Sequence, residues 1–155
     1  MRSDTLNESS NKYGGRTNDV VFVDDAAALN IGADNSGKIH VMPDLTADCT
    51  LTLPTEEVGL CFEFWYGGTA ADAQDWIIKT TGNSNYMVGG LVGHDTDNAG
   101  DDTAVIDANG SSNSQLTVYT PIAGTCVKLV CDGTLWYVNG SVISATDTFC
   151  AFADQ

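Results

Sequence analysis

The sequence predicts an all-β protein: an antiparallel β-sandwich or β-barrel of about nine to ten short strands, with an extended N-terminal arm. Three observations predict it. The polar residues are mostly Thr, Ser, Asn and Gly, and only 17% of the chain is charged, a mix that favours strands and turns over helices. Short apolar or alternating runs recur between turn signals at about 8–12-residue spacing. No stretch carries the apolar period of an amphipathic helix. The length of 155 residues suits one domain with an arm. A compact chain of this size buries about two-thirds of its surface, enough for a core without staples.

Residues 1–19 are read as the arm. Leu6 and Tyr13 are almost its only apolar residues, and Gly14-Gly15 marks a joint, so the segment is expected to be extended or disordered in isolation. The body, residues 20–155, opens with the strand Val20-Val21-Phe22-Val23, which stops at Asp24-Asp25. Ala26 to Ile31 is expected as a short helical turn and Asn35-Ser36-Gly37 as a turn. Lys38 to Met42 and Cys49 to Leu53 alternate and end at Pro43 and Pro54. Leu60 to Tyr66 places Leu60, Phe62, Phe64 and Tyr66 on one side and Cys61, Glu63 and Trp65 on the other. Aromatics on both sides predict a central strand covered on both faces.

Trp76 to Thr80 is the next strand, and Tyr86 to Val92 follows with Gly89-Gly90 inside it, the mark of a bulge or a close backbone contact. Gly93 to Asp102 reads as a polar loop, and Thr103–Asp107, Gln115–Tyr119 and Thr125–Cys131 as strands. Asp132-Gly133 before Thr134–Val138 is a tight-hairpin signal with positive φ expected at both turn residues. Asn139-Gly140 is a further candidate turn. No strict internal repeat is visible.

Charge divides the chain. Six Lys+Arg face 21 Asp+Glu, for a net charge of −15 and a pI near 4.1. Residues 1–19 hold Arg2, Lys12 and Arg16, half of the cations, against three acids, whereas residues 20–155 hold three cations and 18 acids. Such a chain has no basic patch for nucleic acid or for an anionic membrane. No run approaches the apolar length of a membrane-spanning helix, and Met1 to Thr5 lacks a signal-peptide core. A chain made in a reducing cytoplasm is expected.

The residues that could carry chemistry are few. Cys49, Cys61, Cys126, Cys131 and Cys150 contain no CxxC spacing, so buried free thiols are expected rather than a zinc or redox motif. Cys126 and Cys131 should face opposite sides of one strand. His40 alternates with Ile39 and Val41 and is expected at the surface. His94 opens the acidic run Asp95 to Asp102. That run has the D-x-D and Gly of a Ca²⁺ loop, but Ala99 and Ile106 stand where an EF-hand needs oxygen ligands, so a solvated loop is the favoured reading. No nucleophile elbow, phosphate loop or dinucleotide fingerprint is present. The expectation is a protein without catalytic residues, metal or cofactor. The three Asn-x-Ser sequons, at Asn7, Asn109 and Asn139, are taken as chance matches. Trp65, Tyr66, Trp76, Trp136 and Tyr137 are read as core or subunit packing in preference to a sugar groove.

Two stretches carry a resemblance. Cys49 to Tyr66 runs from TLTLP through an acidic turn and Gly59 into an aromatic strand, and Gly124 to Gly140 reads GTCVKLVCDGTLWYVNG. These patterns resemble small β-structured virion proteins of tailed bacteriophages, above all head decoration (cement) proteins, and also tail-fibre domains. The resemblance spans most of residues 38–143 and implies a non-enzymatic homotrimer on the outer surface of a capsid, bound to the major capsid protein at capsomer junctions. Lys12, Tyr13 and Arg16 are then the expected capsid-binding residues of the arm: two cations and one aromatic that could dock on an exposed strand edge of an acidic shell. The arm lacks proline and is poorer in Thr, Ala and Pro than lambda-type decoration arms, which are attached to shorter proteins. The alternatives are a tail-fibre or receptor-binding domain that recognises a host glycan, and a Ca²⁺-dependent binding module.

Overall fold

The computed structural model describes residues 19–68, 73–96 and 103–155. Within them lie twelve strands: β1 (Val20–Phe22), β2 (Ala28–Asn30), β3 (Ile39–Met42), β4 (Cys49–Thr52), β5 (Val58–Tyr66), β6 (Trp76–Lys79), β7 (Tyr86–Asp95), β8 (Thr103–Asn109), β9 (Gln115–Val118), β10 (Cys126–Asp132), β11 (Leu135–Ser144) and β12 (Cys150–Ala153). They form a seven-stranded sheet, β1-β3-β5-β10-β11-β7-β8, and a five-stranded sheet, β12-β9-β6-β4-β2. The all-β class is as expected. Two strands are additional: β2, where a helical turn was expected, and β12.

The pairing directions differ from the antiparallel expectation, since five of the ten strand pairings are parallel. Strands β1 to β6 alternate between the sheets, so each lies parallel to the strand two before it. Parallel neighbours need a long crossover, and here the crossover contains a strand of the facing sheet. The steps are unequal: Val20 pairs with Ile39, 19 residues on, and Ile39 with Glu63, 24 residues on. Unequal steps leave no fixed sequence period. After β6 the chain closes the sandwich mostly with antiparallel pairs, β10 and β11 filling the gap between β5 and β7.

The core lies between the sheets. Leu60, Phe62, Phe64, Leu91, Leu129 and Trp136 of the larger sheet face Leu51, Trp76, Ile78, Leu116 and Val118 of the smaller. Phe64 meets Trp76 edge-on across the gap, with ring centroids 6.0 Å apart, and Phe62 lies 5.9 Å from Trp136. Glu56 closes one end: its carboxylate accepts from the Trp136 indole (2.9 Å), the Asn85 amide (2.6 Å) and the Thr81 hydroxyl (3.2 Å).

Several local expectations change. Gly93, His94 and Asp95 continue β7 instead of opening a loop. Gly89 does mark a close backbone contact, because a Cβ there would overlap the Val138 carbonyl. Asn139-Gly140 is no turn but the middle of β11, where a Cβ on Gly140 would overlap the Cys126 carbonyl. At the β10–β11 hairpin only Gly133 takes positive φ. The turn is held instead by the Asp132 carboxylate, which accepts the Thr134 (2.9 Å) and Leu135 (2.8 Å) N–H groups.

Candidate functional site

Lys12, Tyr13 and Arg16 lie outside the described residues, as do residues 97–102 of the acidic run. Asp95, the first acid of that run, is buried at the end of β7 rather than solvated. Among the described residues no group of three or more His, Cys, Asp and Glu side chains is placed to hold a metal ion. Among them, too, no helix is long and apolar enough to cross a membrane.

His40 corrects the expectation of a surface histidine. Alternation does place it opposite Ile39 and Val41, but His40 is the member that faces the core, at 1% exposure. Its ring lies 4.9 Å from that of Phe64 and 5.9 Å from that of Phe62. Neither ring nitrogen has a hydrogen-bond partner. Burial lowers its pKa below 6.5, opposed by the Glu63 and Lys38 carbonyls. An imidazole sealed among aromatic rings is no general base for a substrate. His94 faces outward beside Thr103, Nδ1 to Oγ1 3.3 Å.

All five cysteines are free thiols, four of them buried. Burial pushes Cys49, Cys126 and Cys150 up to about 11, so at neutral pH they are protonated and poor nucleophiles. Cys131 points inward at Trp136, and Cys126 lies on the opposite side of β10, as their spacing requires. Burial and the nearby Asp48 raise the pKa of Asp75, opposed by the Thr120 N–H. Asp48 itself accepts the Asp75 N–H at 2.9 Å, so this carboxylate pair is occupied by backbone donors.

What the described residues do bring together is the outer face of the seven-stranded sheet. Strand register aligns Phe22, Val41 and Trp65 in one row, which continues through Cys126 and Ser141 to Val92 and Val105. A second row joins Cys61, Val130, Tyr137 and Val88. Phe22 is 79% exposed, Val130 50% and Trp65 37%. Trp65 therefore leaves β5 covered on one face only, against the expectation of two.

A polar row runs between the apolar ones. Lys128 Nζ lies 3.3 Å from Glu63 Oε2, and Glu63 Oε1 accepts the Trp65 indole N–H at 2.6 Å. The Tyr137 hydroxyl donates to Asp132 at 3.1 Å. The Leu135 and Thr134 N–H groups, and after them the Tyr137 hydroxyl, lower the pKa of Asp132, and the carboxylate raises that of Tyr137. A shallow pocket of about 200 Å³ opens beside the Glu63–Lys128 pair, below the roughly 300 Å³ of the smallest usual ligand sites. The arrangement offers contact area and fixed aromatic rings, not reacting groups.

The signal for this face was present in the sequence. Ile39 and Val41 on one strand, Trp65 on another and Val130 on a third share the outward parity, but alternation within a strand does not align strands with one another. No protein-family model matches the chain, and no curated protein is significantly similar to it.

Proposed function

We propose that this chain is a structural virion protein of a tailed bacteriophage, made in the host cytoplasm, that decorates and stabilises the outer surface of the capsid. It binds the major capsid protein at capsomer junctions as a homotrimer and is not an enzyme. The observation that supports this best is the edge formed by β1. That strand follows directly on the segment holding half of the cations and, among the described residues, pairs on one side only, with β3. A segment leading out of an open edge strand is suited to joining a strand of a shell protein. Lys12, Tyr13 and Arg16 supply the contacts, with ordering cost met only on docking. The acidic body stays outward, where its charge keeps neighbouring bound trimers apart. Many weak joints, each repeated over the shell, resist internal pressure through valency.

The test is deletion of residues 1–19, followed by co-sedimentation with shells of the encoding phage. The truncated protein is expected to fold and to stay in the supernatant. Normal decoration by the truncated protein would remove the arm from the mechanism. The exposed Trp65 and Tyr137 favour a second reading, a tail-fibre domain that binds a host glycan. Specific binding on a glycan array, with no labelling of the head, would establish that reading instead.

A further inference from the structure

We infer that the outer face of the seven-stranded sheet is the surface through which copies of this chain bind one another. The inference rests on the self-association part of the reading above and not on the capsid. Three observations point to a second copy as the occupant.

The first is size and composition. Seven strands span about 29 Å at the usual interstrand spacing, and the two outward apolar rows are four residues, about 13 Å, apart. Together with the polar row between them they span roughly 500 Å². A polar rim brings such a patch near the ~800 Å² per partner of a stable interface. Aromatic enrichment with few charges is the signature of an interface centre; Trp65, Val130 and Tyr137 supply it on the central strands, and Phe22 and Val105 extend it to the two edges.

The second is charge. Among the described residues most acids sit in connections between strands, such as Asp24, Asp25, Asp44, Asp48, Glu56 and Glu57. The face itself holds Glu63, neutralised by Lys128 at 3.3 Å, with Asp107 and Asp132 towards its margins. Two copies can therefore meet over its centre without pressing carboxylates together. A basic partner attracted by the −15 chain would be drawn to the acidic connections instead.

The third is pre-organisation. Glu63 fixes the Trp65 indole and Asp132 fixes the Tyr137 ring. Side chains already held lose less freedom on association. The outer face of the five-stranded sheet offers no such surface, with Thr50, Thr52, Lys79 and Gln115 along its rows.

Sedimentation of the full-length chain without capsids tests this directly. The unaltered chain is expected to sediment as an oligomer. Val130→Glu and, separately, Lys128→Glu should weaken association at least about tenfold. Thr52→Glu, on the other sheet, should leave it unchanged. Lys128 is half-exposed, so its variant keeps the test intact if Val130→Glu misfolds. A monomeric wild type overturns the inference, whether or not it binds glycan or shells. So does an oligomer that Lys128→Glu leaves intact and Thr52→Glu dissociates. A chain that oligomerises through this face yet ignores shells overturns only the capsid reading.

Discussion

The two sheets present similar inner faces and dissimilar outer ones. Inward, both are Leu, Ile, Val and aromatic residues packed against each other. Outward, the five-stranded sheet shows Ala28, Thr50, Ile77, Thr117 and Ala151 in one row and Asn30, Thr52, Lys79, Gln115 and Ala153 in the next. The seven-stranded sheet shows Phe22, Trp65, Val105, Val130 and Tyr137. Strand formation alone would be served by the Thr-rich pattern, since β-branched polar residues suit a half-solvated sheet. The outer face of the seven-stranded sheet is the more apolar of the two, and this is the contrast on which the proposed self-association rests.

The largest expected effect separates inside from outside on one strand. Leu129 is fully buried and Val130, its neighbour, is half-exposed on the other side of β10. Leu129→Ala should cost about 2–5 kcal/mol through lost burial and a residual cavity. Val130→Ala should change monomer stability by no more than about 0.5 kcal/mol. Urea unfolding at protein concentrations low enough to keep the chain monomeric measures both, since association would add its own stabilisation. Equal costs would mean that Val130 is packed within the fold and that the contrast between the faces is false.

Glu56 comes next. Its carboxylate is the partner of the fully buried Trp136 indole N–H. Glu56→Ala leaves that donor without it and should cost about 1–3 kcal/mol. Glu56→Gln keeps one acceptor oxygen and should cost less. The contrast with the outer face is direct: the Trp136 indole is bonded to hold the core, the Trp65 indole to hold an exposed ring.

How far these features were legible depends on what alternation reports. It gave the parity of β3 and β5 correctly: His40 opposes Ile39 and Val41, and Phe62 and Phe64 oppose Trp65. It does not say which parity faces the core when both are apolar. A surface His40 would require Ile39 and Val41 to face inward. Instead the inner side takes His40 and Met42, and Ile39 and Val41 join the outer face. Parallel pairing was invisible for another reason. It depends on strands from the facing sheet serving as crossovers, with unequal steps and no sequence period. β2 was hidden because Ala28-Leu29-Asn30 has weak strand propensity, and it forms by pairing with β4. Of the candidate site, the arm's cations were legible as charge, while the outer face needed strand register to assemble it.

The misassigned histidine yields a pH prediction of intermediate size. Burial lowers the His40 pKa in the folded chain, so the unfolded chain binds the proton first as pH falls. Its contribution is therefore fully present above the unfolded value of about 6.5 and is lost as pH falls from there through the lowered folded value. The slope in that window is at most about 1.4 kcal/mol per pH unit. His40→Phe has no imidazole to titrate and should flatten the profile between neutral and mildly acidic pH. Parallel profiles for the two proteins would show that the interior does not exclude the charged ring.

The smallest expected effect returns to the outer face. Lys128 and Glu63 lie 3.3 Å apart but remain largely or partly exposed, and such pairs contribute about 0–1 kcal/mol. Lys128→Ala should therefore shift monomer unfolding by less than about 1 kcal/mol, and added salt should reduce even that difference. Its larger consequence lies in the charge of the face. Without Lys128, Glu63 stands uncompensated at the centre of the apolar rows, and two copies meeting there would each bring a bare carboxylate. Unfolding and sedimentation of the same variant separate these roles. A nearly unchanged unfolding midpoint with weakened association would assign the pair to the interface, whereas a large stability loss with association intact would assign it to the fold.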